Sequence, residues 1–323
     1  MSTMVTAAEL AQDVQEFLRF KRAMGMSYRR GEFALESFTR FVGLLGTGHE
    51  AVALDEAVIN WITRIEGRKA VTVGNEFGVV RQLCLFRRRH DPSSYVPEHA
   101  LAPVKESVFV PYILTHDEVR RLLAAAGTRD GRFIWGTMLR SLMLVLYCTG
   151  MRLGEAVRLS IADVDLEHGV LMVCNSKRRS RLVPIRDDLV TELRRYAQAR
   201  QRLIDARRRA APAAFFLRKD ASPLTVGSAS EALRKLFREH GLKPPSGRTG
   251  ARPYEFRHAF AVHRLTAWAL DGIDVHSRLP WLSAYLGHQN VLGTEVYLKA
   301  TPQLLELASD RFAAHLRHAR RPR

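Results

Sequence analysis

Apolar side chains recur at helical spacing along most of this chain, and one longer break interrupts the pattern. In the N-terminal part, this spacing predicts four helices. They cover residues 7–24, 32–45, 52–66 and 70–89. Between residues 91 and 112 the helical period is lost and prolines recur, which is typical of an extended linker. We therefore predict a helical N-terminal domain at 1–98, a linker at 99–112 and a second domain at 113–323.

The second domain combines helical periodicity with a β-type stretch. Thr115 and Glu118 have the spacing of a capping box, in which each side chain bonds a free backbone N–H at a helix start. Two apolar runs joined by the basic stretch 175–181 predict a β-hairpin with a charged tip. Further helices are predicted up to Cys148 and at 153–159, 187–208, 229–240 and 254–270, with a short strand at 215–217. The pattern therefore predicts a mainly α fold with a small antiparallel β-sheet.

The charge of the chain indicates a polyanionic partner. Fifty Lys and Arg residues against 33 Asp and Glu leave a formal net charge of +17 over 323 residues. Such an excess attracts nucleic acid, because each neutralised phosphate releases condensed counterions. A ribosome-associated protein or a merely basic surface would have the same composition, so charge alone favours nucleic acid without naming the chemistry.

Cysteine usage and hydropathy favour a soluble cytoplasmic protein. The three cysteines, Cys84, Cys148 and Cys174, are widely spaced and form no metal-ligand motif, which fits reduced thiols in the cytosol. The N-terminus lacks the charged and apolar regions of a signal peptide. The longest strongly apolar run, Leu142–Cys148, is too short to span a bilayer.

Four motifs of the second domain carry candidate chemistry. They are "TGMRLGE" with Arg152, the hairpin tip "SKRRSRLVP" with Lys177, "RPYEFRHAFA" with Arg257, and "YLGHQNVLGTEVY" with His288 and Tyr297. An arginine that follows a Thr-Gly break can be held rigidly, so that its guanidinium takes two phosphate oxygens. Each residue alone also fits an ordinary role, because surface arginines and solvated turns are common. His258 and His263 are interpreted as packed helix residues and not as ligands.

Taken in order, "TGMRLGEAVRL", a hairpin lysine before "RLVPI", "FRHAFA" and "LGHQNVLGTEVYL" resemble the tyrosine recombinase (phage integrase) family. The resemblance covers about residues 113–310. It implies an α+β catalytic domain preceded by a helical core-binding domain, and a reaction without metal or other cofactor. The spacer before "LGH" and the tail after Tyr297 look like the transposon branch of the family.

The resemblance also implies a role for each residue. Tyr297 is the nucleophile, which leaves a 3′-phosphotyrosine linkage and a free 5′-hydroxyl. Arg152 and Arg257 bind the non-bridging oxygens of the scissile phosphate. Lys177 protonates the departing 5′-oxygen. His288 hydrogen-bonds the phosphate and positions it.

Two features depart from the family pattern. The hairpin that carries Lys177 is about one residue shorter than usual, and one site position holds an unexpected residue. Tyr254 stands three residues before Arg257, where the family has histidine or lysine. A phenol can donate a hydrogen bond to phosphate, but its pKa near 10 makes it a poor base at neutral pH. We therefore expect Tyr254 to position the phosphate and the proton of Tyr297 to pass to His288 or water. Glu155 is expected to brace the arginines or to pack its helix.

Two basic clusters are candidate contacts to the DNA backbone. They are Arg87, Arg88 and Arg89 at the end of the fourth helix and Arg178, Arg179 and Arg181 in the hairpin. A solvated charged helix end, favoured by the helix dipole, would look the same.

These features predict a site-specific recombinase that integrates or excises a mobile element. Its partners would be double-stranded DNA and three further protomers, which form a homo-tetramer, or a hetero-tetramer with partner recombinases, on two synapsed sites. The amphipathic tail after Tyr297 would dock on a neighbouring protomer or pack in its own. An architectural DNA-binding subunit and a type IB topoisomerase are the alternatives.

Overall fold

A computed structural model describes residues 3–46, 50–103, 111–127, 134–176, 179–208, 210–247 and 249–299, with the single positions 306, 309 and 313. At 175, 176, 179 and 299 it describes the backbone alone. The chain divides into two compact units, Met1–Phe109 and Val110–Arg323. No helix of the described residues is long and apolar enough to cross a membrane.

The first unit is a small helical domain. Its helices are α1 (Ala7–Ala23), α2 (Arg29–Leu45), α3 (Leu54–Thr63) and α4 (Ala70–Arg87). Strand β1 (Met4–Val5) pairs antiparallel with β2 (Val52–Ala53), so the first residues of the predicted third helix form a strand instead. The core combines aliphatic side chains with the buried rings of Phe17, Phe38 and Trp61, and this burial stabilises the unit because large apolar groups are removed from water.

The second unit is mainly helical, as the sequence predicts. Its helices are α5 (His116–Gly127), α6 (Ile134–Thr149), α7 (Leu153–Val157), α8 (Asp187–Arg207), α9 (Val226–Glu239), α10 (Glu255–Leu270), α11 (Val275–Leu286) and α12 (Leu292–Glu295). A 3-10 turn, Val296–Lys299, follows α12. The capping box is confirmed, since Thr115 N donates to Glu118 Oε2 at 2.8 Å and Glu118 N to Thr115 Oγ1 at 3.1 Å.

A three-stranded antiparallel sheet flanks the helices. Its order is β3 (Val164–Asp165), β4 (Val170–Ser176) and β5 (Arg179–Pro184). Leu171 faces Val183 across β4 and β5, so the buried side chains of both strands reach the helical core. Residues 177 and 178 at the hairpin tip lie outside the described residues. The predicted strand at 215–217 is not formed, and these residues contribute a single isolated bridge, from Leu217 to Pro223.

Helix α6 is the centre of the unit, and its end sets up the site. Its sequence is apolar on nearly every side, and it is buried because α5, α8 and α10 pack around it. Helix α6 stops at Thr149, and Gly150 follows with φ of +62°. A Cβ at that position would lie 2.5 Å from Phe260 Cδ1 and 2.6 Å from Leu286 Cδ2. Only glycine fits a backbone that must turn this tightly against two helices.

Helix α11, which the sequence pattern did not predict, begins within the spacer that precedes "LGH" and continues to that motif. The Asp274 side chain caps α11, since it accepts from the backbone N–H groups of His276 and Ser277. The helix ends at Gly287, which is left-handed with φ of +70°. A single Pro280 inside the helix masked the helical pattern in the sequence.

Candidate active site

Arg152 is fixed by a buried carboxylate. It is the N-terminal cap residue of α7, and its Nη1 lies 2.7 Å from Glu155 Oε1, while its backbone N–H donates to Glu155 Oε2 at 3.0 Å. The Glu155 side chain is 1% exposed and that of Arg152 is 22% exposed. The guanidinium is therefore held from one side while part of it stays open to a ligand.

Glu155 holds a second arginine on strand β5. Arg181 Nη2 donates to Glu155 Oε2 at 2.9 Å, and Arg181 Nε donates to the carbonyl of Tyr285 at 2.9 Å. A Cβ on Gly287 would lie 2.7 Å from Arg181 Nη1, so this glycine lets the guanidinium approach the end of α11. Charge-assisted bonds of this kind fix geometry more firmly than neutral ones.

Arg257 lies deepest in the site. It is 1% exposed at the first turn of α10, and its Nη1 and Nη2 donate to the carbonyls of Gly150 at 2.7 Å and Leu286 at 2.9 Å. Its Nε is buried without a hydrogen-bond partner among the described residues. Burial lowers the pKa of the Arg257 guanidinium, and the nearby charge of Arg152 adds to this. An anion between the two arginines would relieve their repulsion.

His288 is positioned by a hydroxyl of the next helix. Its Nδ1 lies 2.7 Å from the Oγ1 of Thr294, which is fully buried on α12. A Cβ on Gly293 would lie 3.4 Å from the imidazole, so this helix packs closely on the ring. His288 follows the left-handed Gly287 directly, and it therefore stands at the C-terminal end of α11 beside the arginines.

Tyr297 lies in the same pocket of the same chain. It is 3% exposed, and its ring centroid is 6.3 Å from that of His288 and 5.4 Å from that of His258. Burial raises the pKa of the Tyr297 phenol, the neighbouring Tyr254 adds to this, and the Arg257 guanidinium lowers it. The hydroxyl is therefore protonated at neutral pH, and a reaction through its oxygen needs a proton acceptor.

Tyr254 is the residue at the start of α10. It is 40% exposed, and its ring is 4.7 Å from that of His258, one helical turn later. The two rings are nearly perpendicular, at 76°. Tyr254 therefore lies between solvent and the pocket, where a bound phosphate would meet it.

The structure gathers five of the six residues named for catalysis: Arg152, Tyr254, Arg257, His288 and Tyr297. Lys177, the sixth, lies outside the described residues, as do Arg178 and the side chain of Arg179. Arg181 is engaged with Glu155, with its side chain 13% exposed.

The other basic cluster belongs to the first unit, and its side chains have local partners. Arg87 Nε lies 2.9 Å from Asp13 Oδ2, and Arg88 Nε donates to the Ser94 carbonyl at 3.1 Å. The guanidinium of Arg89 lies 5.2 Å from the centre of the Phe20 ring. A role of these residues in DNA binding stays a prediction.

Sequence reasoning missed two parts of the site. It treated His258 as a packed helix residue, although this histidine lies between Tyr254 and Tyr297. The spacing of four residues from Tyr254 was a usable signal, because such residues share a helix face. It also assigned Arg181 to DNA, and no local pattern links Arg181 to Glu155, because that contact joins β5 to α7.

The pocket is suited to phosphodiester chemistry. Two guanidinium groups can bind the non-bridging oxygens of a phosphate, and a phenol beside them can attack the phosphorus. Among the described residues, no group of His, Cys, Asp and Glu has the arrangement of a metal site. The site therefore has the groups that a transfer of DNA strands through a tyrosine would require.

Comparison with known proteins gives the family. The model of the phage integrase family matches residues 112–303. The putative integrase/recombinase y4rB of Sinorhizobium fredii is 31% identical over 308 residues, which cover 93% of this chain and 96% of that protein. The tyrosine recombinase XerA of Thermococcus kodakarensis is 30% identical over 217 residues, 65% of this chain and 66% of that protein. This chain belongs to the phage integrase family of tyrosine recombinases, and it is a DNA strand transferase of site-specific recombination.

Solved structures share the fold. The integrase of transposon Tn1549, in complex with transposon right end DNA, has a TM-score of 0.64 at 18% identity and covers 93% of this chain and 99% of its own. The XerH site-specific recombinase bound to a palindromic difH substrate has a TM-score of 0.61 at 17% identity, with 95% of this chain and 97% of its own covered.

Proposed function

We propose that this protein cleaves and rejoins DNA through a covalent 3′-phosphotyrosine intermediate formed by Tyr297. The observation that carries the proposal is the burial of Tyr297 beside Arg257 and between two histidines of its own chain. The attacking group and the phosphate ligands therefore come from one protomer. This arrangement supports cleavage in cis.

The arginines would stabilise the charge that builds up on the phosphate. Arg152 is held by Glu155, and Arg257 is held by two backbone carbonyls, so neither has to reorganise when the phosphate arrives. Preorganised donors of this kind are each worth about 10²–10³ in rate. His288, fixed by Thr294, would donate to a non-bridging oxygen, and Tyr254 would contact the phosphate from the solvent side.

The chemical step conserves the energy of the phosphodiester bond. The Tyr297 oxygen bonds to phosphorus as the bond to the 5′-oxygen breaks, and the 5′-oxygen takes a proton from Lys177. In the reverse direction a 5′-hydroxyl of another strand attacks the phosphotyrosine and releases Tyr297. Strand exchange therefore needs no nucleotide cofactor, since one ester bond replaces another.

We propose that the biological setting is the integration or excision of a mobile element. The support is the similarity to a putative integrase/recombinase across nearly the whole chain, and a fold shared with a transposon integrase. The helical first unit would be the core-binding domain on double-stranded DNA, with Arg87, Arg88 and Arg89 among its contacts, and Arg178, Arg179 and Arg181 would add to them in the second unit. Two synapsed sites would hold four protomers, and these could include partner recombinases.

A trapping experiment tests the proposal without a known target site. The protein is incubated with nicked duplexes that carry a randomised core, so that cleavage near the nick releases a short fragment and blocks religation. Covalent protein–DNA adducts are isolated under denaturing conditions and their DNA is sequenced. We expect an adduct that forms at a preferred sequence with the native chain and is absent with Tyr297→Phe.

Matched variants separate catalysis from binding. Arg257→Ala should abolish the adduct and leave the affinity for the selected site nearly unchanged, because most of the binding energy comes from other phosphate contacts. Tight and selective binding by the native chain without any adduct would contradict the proposal. That result would favour an architectural DNA-binding subunit, for which the unusual Tyr254 is the supporting observation.

A further inference from the structure

Proton removal from Tyr297 lacks its usual agent in this chain. The residue three positions before Arg257 is a tyrosine, and a phenol with a pKa near 10 cannot readily take a proton from another phenol. Burial raises the pKa of the Tyr297 hydroxyl further, so its ionisation by solvent is disfavoured. Another group in the pocket has to accept this proton.

His258 is placed to do so. It lies one turn after Tyr254 on α10, and its ring centroid is 4.7 Å from that of Tyr254 and 5.4 Å from that of Tyr297. The ring planes of His258 and Tyr297 are inclined at 65°, so one ring directs its edge at the other. The Nδ1 of His258 is buried and has no hydrogen-bond partner among the described residues.

A carboxylate lies beside the other nitrogen of the imidazole. The Nε2 of His258 is 3.7 Å from Glu255 Oε2, and this oxygen also has no hydrogen-bond partner in the described part of the chain. Arg252 holds the other oxygen of Glu255 at 2.8 Å. Because a carboxylate only accepts, it favours the tautomer with the proton on Nε2 and leaves the lone pair of Nδ1 free.

His288 is the competing candidate, and its geometry fits less well. Its Nδ1 is already engaged with Thr294 Oγ1 at 2.7 Å. Its ring centroid lies 6.3 Å from that of Tyr297, farther than the 5.4 Å of His258, and the two rings are nearly parallel, at 21°. His288 is better suited to a phosphate oxygen.

We propose that His258 is the proton acceptor for Tyr297, with Glu255 as a positioning residue that orients the imidazole. As the bond between the Tyr297 oxygen and phosphorus forms, the phenolic proton moves to Nδ1 of His258. The bond to the 5′-oxygen breaks, and that oxygen takes a separate proton from the general acid. On religation, the imidazolium returns its proton to the Tyr297 oxygen. This assignment rests on the proposed function of the site.

Burial, together with the neighbouring positive charges, keeps His258 neutral until DNA binds. The ionisable groups that face it are Glu255, Arg252 and Arg257, with the phenols of Tyr254 and Tyr297. Burial lowers the pKa of His258 to about 4, and the two arginines contribute. A phosphate bound to Arg257 offsets that positive charge, so the proton affinity of the imidazole rises when the substrate is present.

The test measures the rate of adduct formation by His258→Ala on the selected nicked duplex. We expect a decrease of about 100-fold or more at pH 7, as is usual for loss of a general base. The remaining rate should increase about tenfold per pH unit, because hydroxide then removes the proton, whereas the native rate is nearly flat. Added imidazole should restore part of the activity.

A second substrate separates a base from an acid. In a duplex whose 5′-bridging oxygen is replaced by sulfur, the leaving group needs no proton. The defect of His258→Ala should persist on this duplex, since the proton of Tyr297 must still be removed. If sulfur restores the rate, His258 supplies a proton instead, and the assignment is wrong.

His263→Gln is the matched control. His263 lies on the same helix, and burial likewise lowers its pKa to about 4, but it stacks on His116 at 3.9 Å and bonds to Tyr147. Its variant should form the adduct at the native rate. An unchanged rate in His258→Ala, or a loss with neither a pH slope nor imidazole rescue, would overturn the inference and leave the proposed function intact. Failure of the native chain to form any adduct would overturn both.

A double variant tests whether a histidine at position 254 can replace His258 as the proton acceptor for Tyr297. Tyr254→His in the His258→Ala background places a histidine one turn earlier, where other members of the family have their histidine or lysine. We expect it to recover most of the lost rate and to remove the pH slope. A double variant as slow as His258→Ala would contradict the idea that the two positions share one task.

Discussion

The two halves of the site are held very differently. We call Arg152, Glu155, Arg181 and Arg257 the arginine cluster, and residues 288–299 the tyrosine segment. The cluster is tied together by a buried carboxylate and by the carbonyls of Gly150, Tyr285 and Leu286. The tyrosine segment consists of the short α12 and a 3-10 turn, and the bond from His288 to Thr294 lies within it.

This difference separates the residues that bind the phosphate from the residue that becomes covalently attached to it. The groups that bind phosphate are preorganised, because their positions must be correct before charge develops. The group that becomes covalently attached sits on a 3-10 turn that follows a short helix, and short elements of this kind open at a lower free energy than a long packed helix. The free energy of unfolding should therefore fall strongly when a residue of the arginine cluster is substituted. Substitutions in the tyrosine segment should lower it less.

Removal of the central carboxylate should have the largest effect. Glu155→Ala leaves Arg152 and Arg181 without their buried partner, and such a loss costs about 3–5 kcal/mol of unfolding free energy. Denaturant unfolding of the native chain and the variant measures the difference. Glu295→Ala, an exposed carboxylate in the tyrosine segment, is the control and should change stability by less than about 0.5 kcal/mol. Equal effects of the two substitutions would remove the contrast between the regions.

A methyl group at Gly150 should have the next largest effect. Gly150→Ala forces an L side chain into φ of +62°, and its Cβ would lie closer to Phe260 and Leu286 than van der Waals contact allows. Overpacking of this kind costs about 1–3 kcal/mol. The shift also displaces the carbonyl that holds Arg257, so adduct formation should fall more than stability alone explains. A variant with native stability and native cleavage would show that this turn does not set the arginine positions.

Loss of the hydroxyl that holds His288 should be milder. Thr294→Val removes a bond of 2.7 Å to Nδ1 and should cost about 1 kcal/mol, with a moderate decrease in cleavage. Thr266→Val is the matched control, because the Thr266 hydroxyl is buried without a partner among the described residues. Thermal unfolding and the adduct rate are measured for both. If Thr266→Val lowers stability and the adduct rate as much as Thr294→Val does, the effect comes from altered packing and not from loss of the hydrogen bond to His288.

Sequence patterns predicted the helices and the order of the site residues, because both depend on local information. Helical spacing identified α1 and α10, and the motifs around Arg152, Arg257 and Tyr297 follow one another along the chain. The links between Arg181 and Glu155 and between Arg257 and Leu286 could not be predicted. They join elements that are distant in sequence, and no periodicity records which side chain meets which carbonyl.

The smallest expected difference between the tyrosine segment and a packed helix is in the rate of amide hydrogen exchange. The amides of Thr294 and Glu295 bond to Val291 in a single short turn, whereas those in the middle of α10 belong to a long buried helix. We expect faster exchange in the tyrosine segment than in α10, since short elements open locally without global unfolding. Equal protection in the two regions would show that the tyrosine segment is as firmly held as the arginine cluster.

The most direct test is to map the residue that becomes attached to DNA. The covalent adduct from the nicked duplex is digested with nuclease and protease, and the peptide that carries the nucleotide remnant is sequenced by mass spectrometry. The structure predicts a single attachment, at the phenolic oxygen of Tyr297. Attachment at Tyr254, the other phenol of the pocket, or a non-covalent complex in place of the adduct, would contradict the account.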